Sequence, residues 1–144
     1  MGMRWICVWL LSGGLLLSAR AGADDGVPES LALGAAHLKA GKPDLAVGQW
    51  VLNGLAAKDP AFPRNVPALV DTLRDLGRFE GWSVMSSKPL GGGSRLVYLA
   101  GRFERGSLFL RVVAFELYGK EVVNRLVWSL DPMEIAGGVR GWEK

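Results

Sequence analysis

Apolar and polar positions change their pattern twice along this chain. Trp5 to Leu17 is one apolar run, interrupted only by Ser12, Gly13 and Gly14. From Leu31 to Leu76 apolar residues recur at helical spacing. From Phe79 to Leu130 β-branched and aromatic residues take over between turn residues. A 3.6-residue period followed by strand-forming composition predicts helices first and strands afterwards.

The spacing predicts three helices. Ser30 caps the first, Leu31, Ala35 and Leu38 form its stripe, and Gly41 stands at its C′ position. Pro43 and Asp44 open the second. Leu45, Gln49, Leu52 and Ala56 form its stripe, flanked by Val47, Trp50 and Val51, so it is expected to be buried on more than one side. Asp59-Pro60 through Pro63 breaks the chain. Asn65 caps the third helix, with Pro67 in its first turn, Leu69, Val70, Leu73 and Leu76 inward, and Gly77 at its end. Its charges, Asp71, Arg74, Asp75 and Arg78, fall three and four residues apart and read as a solvated, ion-paired face.

Four strands are expected, over 79–87, 95–104, 107–118 and 121–130. Their short links make consecutive strands antiparallel. The fold class is therefore α+β, with three N-terminal helices packed on a curved four-stranded antiparallel meander. Two-residue hairpin loops at Arg105-Gly106 and Gly119-Lys120 place Glu104 opposite Ser107 and Tyr118 opposite Glu121. Counting back, Phe109, Arg111, Val113, Phe115 and Leu117 share a face with Val122, Asn124, Leu126, Trp128 and Leu130. Leu96, Tyr98, Ala100 and Arg102 join them. This face is expected to meet the helices. The other carries Val97, Leu99, Phe103, Leu108, Leu110, Val112, Ala114, Val123 and Val127, relieved by Glu116 and Arg125. So apolar a second face calls for a homodimer, a partner surface or cover from the chain's own tail.

The N-terminal run has its own logic. Arg4 precedes the apolar stretch, and Ala21-Gly22-Ala23 presents small residues before Asp24-Asp25. Basic, apolar and A-x-A regions in that order make a secretory signal peptide. The run is too short for a spanning helix, which needs about 20 apolar residues. Cleavage is expected after Ala23, with the product periplasmic or secreted and membrane contact limited to the uncleaved peptide. Residues 1–23 are then the signal, 24–29 a leader, 30–131 one α+β domain and 132–144 an irregular tail.

Cleavage changes the charge. Losing Arg4 and Arg20 lowers Lys plus Arg from 17 to 15 against 14 Asp plus Glu, a net charge of about +1. Basic residues are scattered singly, so no nucleic-acid footprint is expected. Cys7 leaves with the signal, and the product depends on a packed core in place of disulfides. With one His and no remaining Cys, no metal site and no cofactor is expected.

A charge in an apolar row must find a partner or reach water, which singles out Arg111. It reads as an anchor for an acidic group of a small ligand, or as a structural cation paired with a carboxylate or helix-end carbonyls. Tyr98, Asn124 and Trp128 complete the candidate ligand-binding set. No residue is assigned a catalytic role. His37 has no identified acid partner, and Gly91-Gly92-Gly93-Ser94 lies between strands and lacks a phosphate-binding pattern. Ser83, Ser86 and Ser87 match no nucleophile motif.

The stretch Tyr98-Leu99-Ala100-Gly101-Arg102-Phe103-Glu104-Arg105-Gly106, followed by 108–115, the Tyr118-Gly119-Lys120 turn and 122–130, resembles exported bacterial domains of the nuclear-transport-factor-2-like, cone-shaped superfamily. The Ala40 to Ala46 segment looks like the corner joining that superfamily's first two helices; it is also similar to one hairpin of a tetratricopeptide repeat, which needs about three copies to bury its faces. The resemblance implies a cavity between sheet and helices. Its enzymes, ketosteroid isomerase and scytalone dehydratase, place an Asp or His with a Tyr there; this chain has Tyr98 on the expected cavity face but no carboxylate or His. The expectation is a non-enzymatic exported domain binding a small apolar or acidic molecule, or a protein partner. The alternatives are an isomerase- or dehydratase-type enzyme recruiting Glu80, Glu104 or Asp131, and a structural module dimerising through the outer sheet face.

Overall fold

The two-part pattern becomes two layers in the computed structural model, which describes residues 26–136. The helices are α1 (Glu29–Lys39), α2 (Pro43–Trp50) and α3 (Phe62–Leu76), with a 3-10 turn at Leu55–Lys58. The strands are β1 (Phe79–Gly91), β2 (Ser94–Phe103), β3 (Gly106–Leu117) and β4 (Lys120–Ser129), paired in chain order as an antiparallel meander. A short helix, α4 (Pro132–Ala136), follows. The α+β class and the meander are as expected. The expected signal peptide, its cleavage site and the last eight residues lie outside the described residues.

Helix ends follow local chemistry. Gly41, at φ +71°, lets its own N–H donate to Leu38 O and the Lys42 N–H to His37 O, at 3.0 and 2.9 Å. This is a Schellman closure, as its position predicts. At the start of α1 Ser30 lies inside the first turn, buried, and Pro28 occupies the capping position. Helix α3 begins earlier than expected, because Asp59 Oδ1 accepts the Ala61 N–H at 2.8 Å and Pro63 fits the first turn. Pro67 and Asn65 therefore lie within the helix. The third stripe is buried as expected, and Arg74 pairs with Asp71 at 3.2 Å on the exposed face.

The second helix stops short. It ends at Trp50, and Asn53 turns the chain at φ +63°. Gly54 then lies against the backbone of Val123, leaving no room for a side chain. Pro43, Ala46, Val47 and Trp50 are the buried set, while Leu45 and Leu52 are about half exposed, at 47% and 52%. The flanking residues thus form the core contact in place of the expected stripe.

An aromatic cluster joins the layers. Trp82 meets Trp50 edge-on at 5.6 Å and Phe79 at 5.2 Å, and Phe79 meets Phe103 at 5.2 Å. Such contacts add to simple burial. Trp82 lies over Gly101, where a Cβ would come within 2.6 Å of its ring.

The sheet turns its other face to the helices. Val97, Leu99, Phe103, Leu108, Leu110, Val112, Ala114 and Val123 are buried in one cluster with Leu31, Val47, Trp50, Leu69 and Leu73. The row offered to a homodimer is therefore the core, and the row expected against the helices faces outward. The physical reason is charge. The buried row carries no charged residue in its middle, whereas Arg111 interrupts the other, and an unpaired buried cation is costly.

Register explains the rest. Both two-residue hairpin loops lie one residue earlier than expected: Phe103 pairs with Gly106, and Leu117 with Lys120. The last loop is therefore Tyr118-Gly119, at φ +50° and +74°, the conformation of a type I′ turn. A bulge at Asn124 shifts the β3–β4 pairing between Val113 and Ala114. Beyond it, Leu126 and Trp128 pair with Val112 and Leu110 on the helix side, while Val127 pairs with Arg111 outside.

Candidate functional site

The four candidate residues divide between the two faces of the sheet. Tyr98 and Arg111 lie directly opposite each other across β2 and β3 on the outer face, both half-buried. Arg111 Nη1 donates to Ile135 O at 3.4 Å, so its partner is a carbonyl of α4. Ile135 itself is 3% exposed, and Glu134 accepts a hydrogen bond from Ser129 Oγ, pinning α4 over the β3–β4 end of that face. Met133 N–H, held by Asp131 Oδ1 at 2.8 Å, starts this helix within a segment expected to be irregular.

Asn124 and Trp128 belong to a cleft on the helix side. Its volume is about 260 Å³, and it opens between the 3-10 turn, the first half of α3 and β4. Phe62, Val66, Leu69, Leu126 and Trp128 make apolar walls, and the Asn65 and Asn124 amides supply polar groups. The bulge positions Asn124, whose Oδ1 accepts the Leu55 N–H at 3.3 Å. Its Nδ2 has no hydrogen bond among the described residues. Asp59 adds a carboxylate to the lining, and Arg125, opposite Val113 in the outward row, borders it. No local sequence pattern marks this cleft, because the bulge is what puts Asn124 and Trp128 beside α3.

The three carboxylates considered for acid–base chemistry lie elsewhere. Glu80 pairs with Arg102 at 2.7 Å, Glu104 Oε2 faces the Arg78 N–H at 3.5 Å, and Asp131 caps α4. None of them lines the cleft. His37, half-buried on α1, does not line it either.

The most heavily engaged polar side chain is one that sequence reasoning missed. Arg95 forms a bidentate pair with Glu121, Nε to Oε2 at 2.6 Å and Nη2 to Oε1 at 2.7 Å. Its Nη1 donates to Gly26 O at 2.8 Å and Ser87 Oγ at 3.3 Å. The Glu121 hydrogen bond raises the Arg95 pKa, burial opposes this, and the Glu121 charge adds to the rise. The Glu29 N–H donates to Glu121 Oε1 and the Glu121 N–H to Glu29 Oε2, at 3.3 and 3.4 Å. The cluster fastens the start of α1 to three strands and is structural. Its only sequence signal is an Arg at the head of one strand and a Glu at the head of another.

Comparison with protein-family models, curated proteins and solved structures finds no match for this chain.

Proposed function

We propose that this is an exported, non-enzymatic binding domain whose cleft between the 3-10 turn, α3 and β4 holds a small, mostly apolar molecule with one hydrogen-bonding edge. The observation that carries the reading is the cleft itself, about 260 Å³ with two aromatic rings, Phe62 and Trp128, and two amides in its lining. Apolar walls with a few placed polar groups are the usual composition of small-molecule sites. Export rests on the Met1–Ala23 pattern. The nuclear-transport-factor-2-like reading is supported by the order of three helices and a meander. Here the space between the layers is packed core, and the cleft opens at its β4 margin.

Native mass spectrometry of the protein purified from its own host tests both the export and the cleft. A chain beginning at Asp24 supports export, and a small-molecule adduct supports the cleft. Val66→Trp, which fills the cleft from α3, is expected to abolish the adduct. Retention of the same adduct by that variant, or a dimer carrying none, would overturn the reading and favour a structural assembly role.

A further inference from the structure

A second opening lies at the far end of α3. It is a groove of about 420 Å³ between the α1–α2 corner and the α3–β1 link, lined by Leu38, Pro43, Leu73 and Phe103 and by Lys39, Arg74 and Arg78. Among the described residues no acidic one lines it, and the Glu104 carboxylate lies behind the groove-lining Gly77. We infer that this groove is an anion-selective site for a small organic carboxylate with an apolar body, distinct from the cleft beside Trp128.

Cations at helix ends often serve the helix and not a ligand, by offsetting its negative C-terminal carbonyls. Here three of the last four carbonyls of each helix already have donors. In α1, Ala36 O, His37 O and Leu38 O accept from the Ala40, Lys42 and Gly41 N–H groups at 3.1, 2.9 and 3.0 Å. In α3, Arg74 O and Leu76 O accept from the Gly77 and Arg105 N–H groups at 3.1 and 3.0 Å. Asp75 O accepts from Arg105 Nη1 at 3.1 Å. The groove's own cations are therefore not needed as caps.

Nor are they all neutralised. Arg74 is paired with Asp71, but among the described residues neither Lys39 nor Arg78 forms an ion pair. The Glu104 carboxylate, near the Arg78 N–H, does not line the groove. Two free cations over an apolar floor complement an amphiphilic anion: the floor takes the chain, and the cations take the carboxylate. The volume lies within the usual range for small-molecule sites, roughly 300–1,000 Å³.

The probe is octanoate, titrated into the isotope-labelled protein while backbone amide shifts are followed. Saturable shifts are expected at Lys39, Gly41 and Gly77, weakening as salt is added. The exposed double variant Lys39→Gln/Arg78→Gln is expected to weaken binding about tenfold, since each exposed ion pair contributes a few-fold. Its unchanged amide spectrum elsewhere would show that it folds. Uncharged 1-octanol is expected to bind more weakly than octanoate. The inference is overturned by equal binding of octanol and octanoate, by an indifferent double variant, or by no saturable shift at about 10 mM. Shifts confined to 124–128 and α3 residues 62–69 would also overturn it while favouring the Trp128 cleft.

Discussion

Arg95 and Glu121 stand on strands that are not neighbours, β2 and β4, yet their side chains meet in a two-point pair at 2.6 and 2.7 Å. The pair reaches over β3 on the helix side, and Gly26 O and the Glu29 N–H close around it. A planar guanidinium serves here where a lysine would not, because four hydrogen bonds in different directions are made by one fork.

Glu121→Gln is expected to lower stability by about 2 kcal/mol, leaving a partly buried guanidinium without its counter-charge. Arg95→Lys should lose a similar amount. Chemical denaturation of both variants checks this, with protection of the α1 amides as a second readout. A raised cation pKa contributes stability that is complete below the unfolded-state value and lost only as pH rises through the folded-state value. For Arg95 both lie far above neutrality. The contribution of this pair through Arg95 titration should therefore be flat from neutral to mildly alkaline pH.

Gly101→Ala tests the seat of Trp82. Its Cβ would lie 2.6 Å from the indole and 3.1 Å from the Phe103 ring. Displacing either disturbs the aromatic cluster, so a loss of about 2–3 kcal/mol is expected, with a change in the near-ultraviolet dichroism.

Ser30→Ala should stabilise the protein. The hydroxyl is buried within the first turn of α1 and has no hydrogen-bond partner among the described residues. Removing an unsatisfied group and adding a better helix former should gain about 1 kcal/mol in a thermal or denaturant melt.

Arg111→Leu separates the two faces of the sheet. The lost bond is a single long one to Ile135 O, at 3.4 Å. Global stability should change by less than about 1 kcal/mol, while amide exchange in α4 should rise, because that bond is one of the ties holding α4.

Much of this fold follows from sequence alone. The α3 stripe, the Gly41 closure of α1, the glycine turn before Ser94 and the chain-order meander all arise from interactions within a few residues. Local periodicity and turn chemistry are sufficient there. The candidate site was only half legible. Tyr98 and Arg111 do stand side by side, but on the outer face, and Asn124 and Trp128 lie across the sheet from them in the cleft.

What only the tertiary structure decided was which face of the sheet is inside and how β4 is read beyond Asn124. Both sheet faces are rich in apolar residues, so periodicity defines two rows without ranking them. The helices settle the ranking by covering the row that has no charge in its middle. One extra residue at the bulge then exchanges inward and outward positions for the rest of β4. That exchange depends on the fit of Gly54 and Leu55 against Val123 and Asn124, some 70 residues away in sequence, and no local pattern records it.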